Sequence, residues 1–269
     1  MIIRELSISG GGVKGLAFLG TLYELERNNV LKLEKVAGSS IGGFIASCLA
    51  SGYEISSLIE EIFHYDLQGI KDVDLENMIS NKSLMRGDNL DLFFRTILSK
   101  RINPDISLKE LYNISKIELT VATWSLNSGS VKYINYKSHP ELSLIHLIRM
   151  ASAIPIILPP IKYHDSLYVD AGLVDNMPII SKDCWCLASK SSKSSKSGNT
   201  SNMTFISYIL KLSKMFFSEK SNHSNIIYVD VGNVSVTSFN ITKDQRLSLI
   251  QSGINSAREY INNKTPSLA

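Results

Sequence analysis

Two glycine-rich turns near the amino terminus constrain the fold of this chain more than any other feature. The first, GGGVKG at residues 10–15, follows an alternating apolar and polar segment that predicts a strand over residues 4–10. The second, GSSIGG at residues 38–43, follows a short strand at residues 36–39 and precedes a helix with apolar residues at i, i+3, i+4 and i+7. Another helix is predicted between the turns, over residues 16–28. Strands that alternate with helices in this way pair in parallel, so the sequence predicts an α/β fold.

The rest of the chain extends this pattern. Further strands are predicted over residues 116–125, 131–136, 166–172 and 225–232, and further helices over residues 142–153 and from a Thr242-x-x-Gln245 capping box to about residue 262. The more polar middle, residues 54–111, is predicted to be mostly helical. We therefore predict one three-layer α/β/α domain over residues 1–269, with a mainly parallel central sheet. A Ser/Lys-rich stretch at about residues 187–202 is predicted to be a surface loop insertion in it.

The composition limits which classes of protein and which cellular locations fit this chain. Hydrophobic residues make up 44% of the chain, which excludes a disordered protein, and a net charge of +3 is too weak to indicate nucleic-acid binding. Arg4 and Glu5 lie where a signal peptide needs an apolar core, and no uncharged apolar run reaches the ~18 residues of a spanning helix. Three cysteines are too few for a disulfide framework. We expect an intracellular protein, cytoplasmic or peripherally attached to a membrane.

The second turn contains the pattern G-x-S-x-G, with Ser40 at its centre. A nucleophile must project from a tight, strained turn, and Gly38 and Gly42 remove side chains that would clash there. The helix that follows places its positive end beside Ser40, where negative charge would develop during acyl transfer. Ser40 is therefore a candidate nucleophile.

A serine nucleophile also needs oxyanion donors and a base. Gly10, Gly11 and Gly12 offer consecutive backbone N–H groups without side chains, at the end of the neighbouring predicted strand. Asp170, in LYVDAG, ends another predicted strand, and Gly172 permits a close approach there. Burial beside the serine would raise the pKa of this carboxyl from its ordinary value of ~3.9 and fix its geometry.

The residues alone do not decide which aspartate is the base. The aspartates that compete with Asp170 are Asp165, Asp175 and Asp230. Among them Asp230 is the most credible, because it also ends a predicted strand before a glycine. Ser39 precedes the candidate nucleophile and is expected to point the other way, as a packing or hydrogen-bonding residue.

The three motifs GGGVKG, GSSIG and DAG, in this order, resemble those of the patatin-like phospholipases, which are lipid acyl hydrolases. MASAIP before the aspartate and DNMP after it are similar to two further family segments, and the resemblance covers about residues 2–180. It implies a Ser–Asp dyad without histidine, in which Ser40 is the nucleophile and Asp170 the general base. It also implies oxyanion donors in the glycine loop, acyl esters of phospholipids or lysophospholipids as substrates, and no metal or other cofactor.

The resemblance has two departures. Lys14 and Gly15 complete the first motif. Lys14 replaces the commoner arginine, so it keeps the positive charge but loses the bidentate geometry. Ala171 stands where the family usually has glycine, and an alanine would be strained there if the position requires a positive φ. A catalytically weak or inactive lipid-binding protein is therefore an alternative.

Two other enzyme classes compete with this interpretation. GGGVKG also fits the dinucleotide fingerprint G-x-G-x-x-G, with Glu34 as the acidic residue about 20 positions later. An α/β-hydrolase with a histidine triad needs a histidine after the acid, and only His223 follows Asp170. The serine motif directly after the glycine loop weakens the first class, and the early position of Ser40 weakens the second.

One further segment bears on partners. Between Thr204 and Ser218, aromatic and aliphatic residues recur on one helical face, with lysines and serines on the other. The segment is predicted to be either a core-packed amphipathic helix or an interfacial helix that contacts a membrane. The sequence does not indicate an oligomeric state.

Overall fold

The computed structural model describes residues 2–76, 78–190, 223–232 and 240–264. Its strands are β1 (Ile3–Ile8), β2 (Leu31–Ser39), β3 (Glu118–Ser125), β4 (Ser130–Ile134), β5 (Ile161–Tyr163), β6 (Ser166–Asp170), β7 (Trp185–Lys190) and β8 (Ile226–Asp230). They form one sheet in the order β5-β6-β3-β2-β1-β7-β8, and β4 pairs with the other side of β3.

Helices connect and flank these strands. The described α-helices are α1 (Gly15–Arg27), α2 (Ile41–Ala50), α3 (Ile55–His64), α4 (Met78–Asn81), α5 (Asp88–Leu98), α6 (Leu108–Ser115), α7 (Leu144–Ser152) and α8 (Lys243–Lys264). Helix α8 begins at the predicted capping box, because the N–H of Thr242 donates to Gln245 Oε1 (2.9 Å) and the N–H of Gln245 donates to Thr242 Oγ1 (3.2 Å).

The sheet is mixed, with mostly parallel strands. Strands β1, β2, β3, β7 and β8 pair in parallel with their neighbours among themselves, whereas β4, β5 and β6 pair antiparallel. The predicted three-layer α/β/α architecture with a mainly parallel sheet is therefore confirmed. Strands β5 and β7 were not predicted, and both depend on pairing with distant parts of the chain.

Strand β6, which pairs antiparallel with β3, brings the chain back to the end of β2. In the register of the sheet, Ser39 of β2 is opposite Ala122 of β3, and the next residue, Thr123, is opposite Asp170 of β6. Because β6 runs against β3, its carboxyl end returns to the level at which β2 ends. Asp170 thus reaches the serine turn from the opposite direction.

Two sequence predictions need comment here. The predicted strand over residues 166–172 ends at Asp170, where a 3₁₀ turn begins. The loop predicted at 187–202 is wrong for residues 187–190, which belong to β7 and are held between β1 and β8. Residues 191–202, and the amphipathic segment at 204–218, lie outside the described residues.

Helix α8 packs on α1 through two glycines. A Cβ on Gly20 would lie 2.0 Å from the carbonyl oxygen of Ile250, and a Cβ on Gly253 would lie 1.9 Å from that of Ala17. The Thr21 hydroxyl donates to the Gly253 carbonyl across the same contact (3.1 Å). The backbones therefore approach so closely that neither glycine position tolerates a side chain.

Candidate active site

The turn between β2 and α2 holds Ser40 in a strained conformation. Ser40 has a φ of 54°, in a region that residues with a Cβ rarely occupy. Its carbonyl accepts the N–H groups of Gly43 (2.9 Å) and Phe44 (3.2 Å), so the residue caps α2 and lies at the positive end of that helix. Such strain typically costs ~1–3 kcal/mol, and it concentrates at functional sites.

Gly38 and Gly42 of this motif are required because they lack a side chain, not because they adopt an unusual φ. A Cβ on Gly38 would lie 2.3 Å from the carbonyl carbon of Gly42, and a Cβ on Gly42 would lie 2.1 Å from the carbonyl oxygen of Ile8. Neither glycine has a positive φ. The turn therefore requires both glycines because the start of α2 rests directly on the backbones of β1 and β2.

The glycine loop after β1 lies beside the serine. A Cβ on Gly10 would be 3.0 Å from Ser40 Cβ and 2.4 Å from Asn176 Oδ1. The N–H of Gly10 donates to the Asn176 carbonyl (3.0 Å), and Asn176 Nδ2 donates to the Gly10 carbonyl (3.4 Å). The Gly10 amide is thus occupied, in contrast to the sequence-based expectation. Within the described residues the amides of Gly11 and Gly12 have no such partner.

Asp170 meets this turn from the end of β6. Asp170 is buried, with 5% of its surface exposed, and the Ser40 side chain lies close enough to lower its pKa. Burial raises the pKa of Asp170 to about 6, against the opposing effects of the nearby Ser40 hydroxyl and of the Gly172 N–H, which donates to Oδ1 (2.7 Å). The backbone N–H of Asp170 donates to the carbonyl of Ala153, just after α7 (3.0 Å). The structure therefore brings Ser40, the glycine loop and Asp170 together.

Of the three rival aspartates, two lie away from Ser40 and the third is hydrogen-bonded to another side chain. Asp230 ends β8, which is separated from β2 by β1 and β7, so three strand spacings of ~4.8 Å lie between them. Asp175 accepts a hydrogen bond from the Tyr133 hydroxyl (2.6 Å). Asp165 lies in the turn between β5 and β6, at the opposite end of β6 from Asp170.

The pattern of the site agrees with an independent comparison of the sequence. The model of the patatin-like phospholipase family matches residues 6–181, which include both glycine turns and Asp170.

The chain belongs to the patatin-like phospholipase family.

Individual relatives agree with this assignment. The chain is 26% identical over 182 residues to a probable lipid hydrolase of Invertebrate iridescent virus 6, covering 65% of this chain and 62% of the relative. It is 24% identical over 175 residues to the lysophospholipase NTE1 of Debaryomyces hansenii, covering 65% of this chain and 10% of that much longer protein. The crystal structure of VipD from Legionella pneumophila shares the fold, with a TM-score of 0.63 at 17% identity, over 98% of this chain and 67% of VipD.

Membership in the patatin-like family makes the departures at the site informative. Ala171 is fully buried in the 3₁₀ turn after Asp170 and is not among the residues with positive φ, so alanine fits there without strain. Gly172 leaves little room for a side chain, since a Cβ there would be 3.0 Å from Asp170 Oδ1 and 3.1 Å from Asn176 Oδ1, and these side chains would have to shift slightly. The reason for suspecting an inactive patatin-like protein is therefore removed.

Lys14 and Gly15 lie where the glycine loop meets the serine turn. The N–H of Lys14 donates to the Gly11 carbonyl (3.2 Å) and closes the 3₁₀ turn of the glycine loop. A Cβ on Gly15 would lie 2.8 Å from Cγ1 of Ile41, the first residue of α2. Lys14 therefore closes the glycine loop, and the missing side chain of Gly15 lets that loop pack against the start of α2.

Two observations weaken the alternative enzyme classes. Glu34 lies in the middle of β2 and pairs with Arg4 on β1, whereas a dinucleotide site needs its acid beyond the strand. His223 contacts the carbonyl of Cys184, before β7, and no histidine of the described residues contacts Asp170.

Asn176 is the site residue that sequence reasoning missed. It contacts Gly10 through both its backbone and its side chain, and its Oδ1 lies beside Gly172. The DNMP segment marked this stretch, but nothing in the sequence showed that an asparagine there would hydrogen-bond to the glycine loop.

Of the described residues, no helix has the length and apolarity to cross a bilayer.

Proposed function

We propose that the protein is a serine acyl hydrolase that cleaves fatty-acyl esters of phospholipids or lysophospholipids through a Ser40–Asp170 dyad. The observation that carries this proposal is a serine on a strained turn beside a buried carboxyl whose pKa is raised to about 6. A carboxylate with an ordinary pKa is a weak base, whereas one near 6 is still ionised at pH 7 and accepts a proton more readily.

The first half of the reaction forms an acyl-enzyme. Ser40 Oγ attacks the ester carbonyl carbon while its proton passes to the Asp170 carboxylate. The carbonyl π bond opens, and the resulting oxyanion is held by the N–H groups of Gly11 and Gly12 and by the positive end of α2. The tetrahedral intermediate then collapses, and the bond to the alcohol breaks as Asp170 returns the proton to the leaving oxygen.

The second half releases the fatty acid. Asp170 takes a proton from water, the hydroxide attacks the acyl carbon, and the same amides hold the second oxyanion. Collapse of this intermediate breaks the bond to Ser40 Oγ, which recovers its proton from Asp170. Gly10 acts differently from its two neighbours, because its amide is bound by Asn176 and positions the loop.

The substrate class follows from the family. One relative is named a probable lipid hydrolase and another a lysophospholipase, and we extend that class to this chain. Membrane contact through the segment between Thr204 and Ser218 remains a prediction on residues outside those described.

Covalent labelling tests the mechanism most directly. A fluorophosphonate probe should label the wild type on Ser40, and Ser40→Ala should abolish both labelling and hydrolysis of a short-chain nitrophenyl ester. Asp170→Asn should reduce hydrolysis nearly as far, whereas His223→Ala should leave it unchanged. Ser39→Ala is the matched control, because the neighbouring hydroxyl is buried without a partner in the described residues. Hydrolysis retained by Ser40→Ala would overturn the proposal.

A further inference from the structure

Five large apolar side chains project into solvent from the segment before α5 and from the segment that follows α7. Val73, Leu75, Met78, Ile79 and Ile156, which we call the apolar patch, are exposed. Ile79 is 88% exposed and Leu75 is 68% exposed, values expected for charged rather than for aliphatic residues. Clustered exposure of this kind marks an interaction surface.

Backbone pairing joins the members of the patch. Val73 forms an antiparallel bridge with Met85, and the N–H of Leu84 donates to the carbonyl of Ile156 (2.8 Å). The N–H of Met85 donates to the Ile157 carbonyl (3.0 Å). Three short extended segments therefore lie side by side, and α4, with Met78 and Ile79, lies in the connection between the first two.

Buried residues hold this structure in place. Met85, Ile157 and Leu158 form a small hydrophobic cluster of their own beneath it. The buried Asp72 carboxylate accepts the N–H groups of Gly87 (3.0 Å) and Asn89 (3.1 Å), which fixes the start of the segment to α5. The patch is exposed although its supporting backbone is well anchored, so its exposure is not a consequence of loose packing.

Ile156 combines exposure with strain. It has a φ of 71° and is 43% exposed, and a β-branched residue at positive φ is a conformational outlier. Nothing in water favours an exposed isoleucine in this conformation. Strain of this kind persists mainly where function retains it.

The patch is connected to the proposed site through the chain segment between Ala153 and Ile156. Ile156 is three residues after Ala153, whose carbonyl accepts the backbone N–H of Asp170. Charge on the surrounding segment is balanced: residues 71–87 carry Lys71, Lys82 and Arg86 against Asp72, Asp74 and Glu76. Attraction to an anionic surface therefore does not explain the patch, whereas insertion of apolar side chains into lipid does.

We propose that the apolar patch is the surface by which this protein docks on a zwitterionic lipid bilayer, with Leu75 and Ile79 inserted among the acyl chains. The choice of a lipid partner depends on the proposed function. Docking there would present the segment that carries Ile156, and through it the Asp170 end of the site, to the membrane that holds the substrate.

Vesicle binding tests the proposal. The Ser40→Ala protein, which leaves the lipid intact, is sedimented with phosphatidylcholine vesicles, alone and with Ile79→Ser or Leu75→Ser added. Each added substitution should reduce the partition coefficient about tenfold, as expected for an aliphatic side chain transferred into an apolar phase. Because the segment is neutral, binding should hardly change between low and high salt.

Ile114→Ser is the matched control, because Ile114 is 70% exposed on α6, outside the patch. It should leave vesicle binding unchanged. A second measurement uses Ile79→Trp and Ile114→Trp: vesicles should shift tryptophan emission to the blue only in the former. Equal loss of binding in the Ile79 and Ile114 serine variants, or no shift for Ile79→Trp, would overturn the proposal.

Two further measurements separate this proposal from the proposed function and from self-association. Ile79→Ser on the active protein should hydrolyse a water-soluble ester at the wild-type rate but act poorly on vesicles. A wild type that binds vesicles through the patch yet hydrolyses no ester would refute the proposed function and leave docking intact. If sedimentation shows that Ile79→Ser disrupts a dimer while vesicle binding is unchanged, the patch joins two copies and the docking proposal is wrong.

Discussion

Replacing Asp170 by asparagine should make the protein more stable while it removes activity. Burial raises the pKa of Asp170 from the ordinary value of 3.8 to about 6, so the folded protein holds the charged form at a cost. A pKa difference of about two pH units between the folded and unfolded states corresponds to about 3 kcal/mol. Asparagine has nearly the same shape and carries no charge, so the variant avoids most of this penalty.

The sign of the effect defines its pH window. Because the pKa is higher in the folded state, the folded protein binds more protons than the unfolded chain between pH 3.8 and about 6. The contribution of Asp170 to stability therefore falls as pH rises through this window and is constant at higher pH. We expect Asp170→Asn to raise the free energy of unfolding by up to about 3 kcal/mol at pH 8, and by almost nothing near pH 4.

The assay is urea denaturation of the wild type and Asp170→Asn at pH 4 and pH 8. Asp175→Asn serves as the control: that carboxylate is only partly buried and accepts the Tyr133 hydroxyl, so its replacement should bring no comparable gain. In parallel, wild-type kcat/KM on a soluble ester should fall about tenfold from pH 7 to pH 5, as the ionised fraction of Asp170 drops from about 90% to about 10%. A variant no more stable than wild type at pH 8, with a flat activity profile, would refute the reasoning.

Three more predictions concern the backbone of the site. Ser40→Gly should abolish ester hydrolysis yet raise the free energy of unfolding by about 1 kcal/mol relative to Ser40→Ala, since glycine adopts the positive φ without strain; equal stability of the two variants in urea would contradict this. Gly42→Ala should destabilise the protein by about 3 kcal/mol or prevent its expression, because the new Cβ would meet the Ile8 carbonyl; a small shift in thermal midpoint would show that α2 can move. Ala171→Gly, which restores the usual family residue, should not increase kcat and should cost about 1 kcal/mol, because residue 171 has no positive φ; a gain in kcat would show that the alanine does hinder catalysis.

Local backbone chemistry explains why much of the site could be predicted from the sequence. The strand–turn–helix units around the two glycine turns depend on residues that are neighbours in the chain, so apolar periodicity and glycine placement located them. The capping box of α8 was recognised for the same reason. The family resemblance added the order of the motifs and the choice of Asp170.

What escaped prediction depends on contacts between distant residues. Strand β7 was assigned partly to a loop because its Ser/Lys ending looks polar, yet β1 and β8 supply hydrogen-bonding partners on both sides. The antiparallel direction of β6 is a matter of topology, which periodicity does not encode. The occupied amide of Gly10 likewise became visible only when Asn176, 166 positions later, was found against it.

The packing of α8 on α1 has a consequence for synthesis on the ribosome. Ser40 and Asp170, the proposed catalytic residues, both precede α8 in the sequence, so they are synthesised before that helix. Among the described residues, the backbone around Ile250 and Gly253 fills the groove of α1 at Gly20. Until α8 leaves the exit tunnel, a nascent chain carries its proposed nucleophile on a core that lacks this contact, and the uncovered surface of α1 is a site at which aggregation can start.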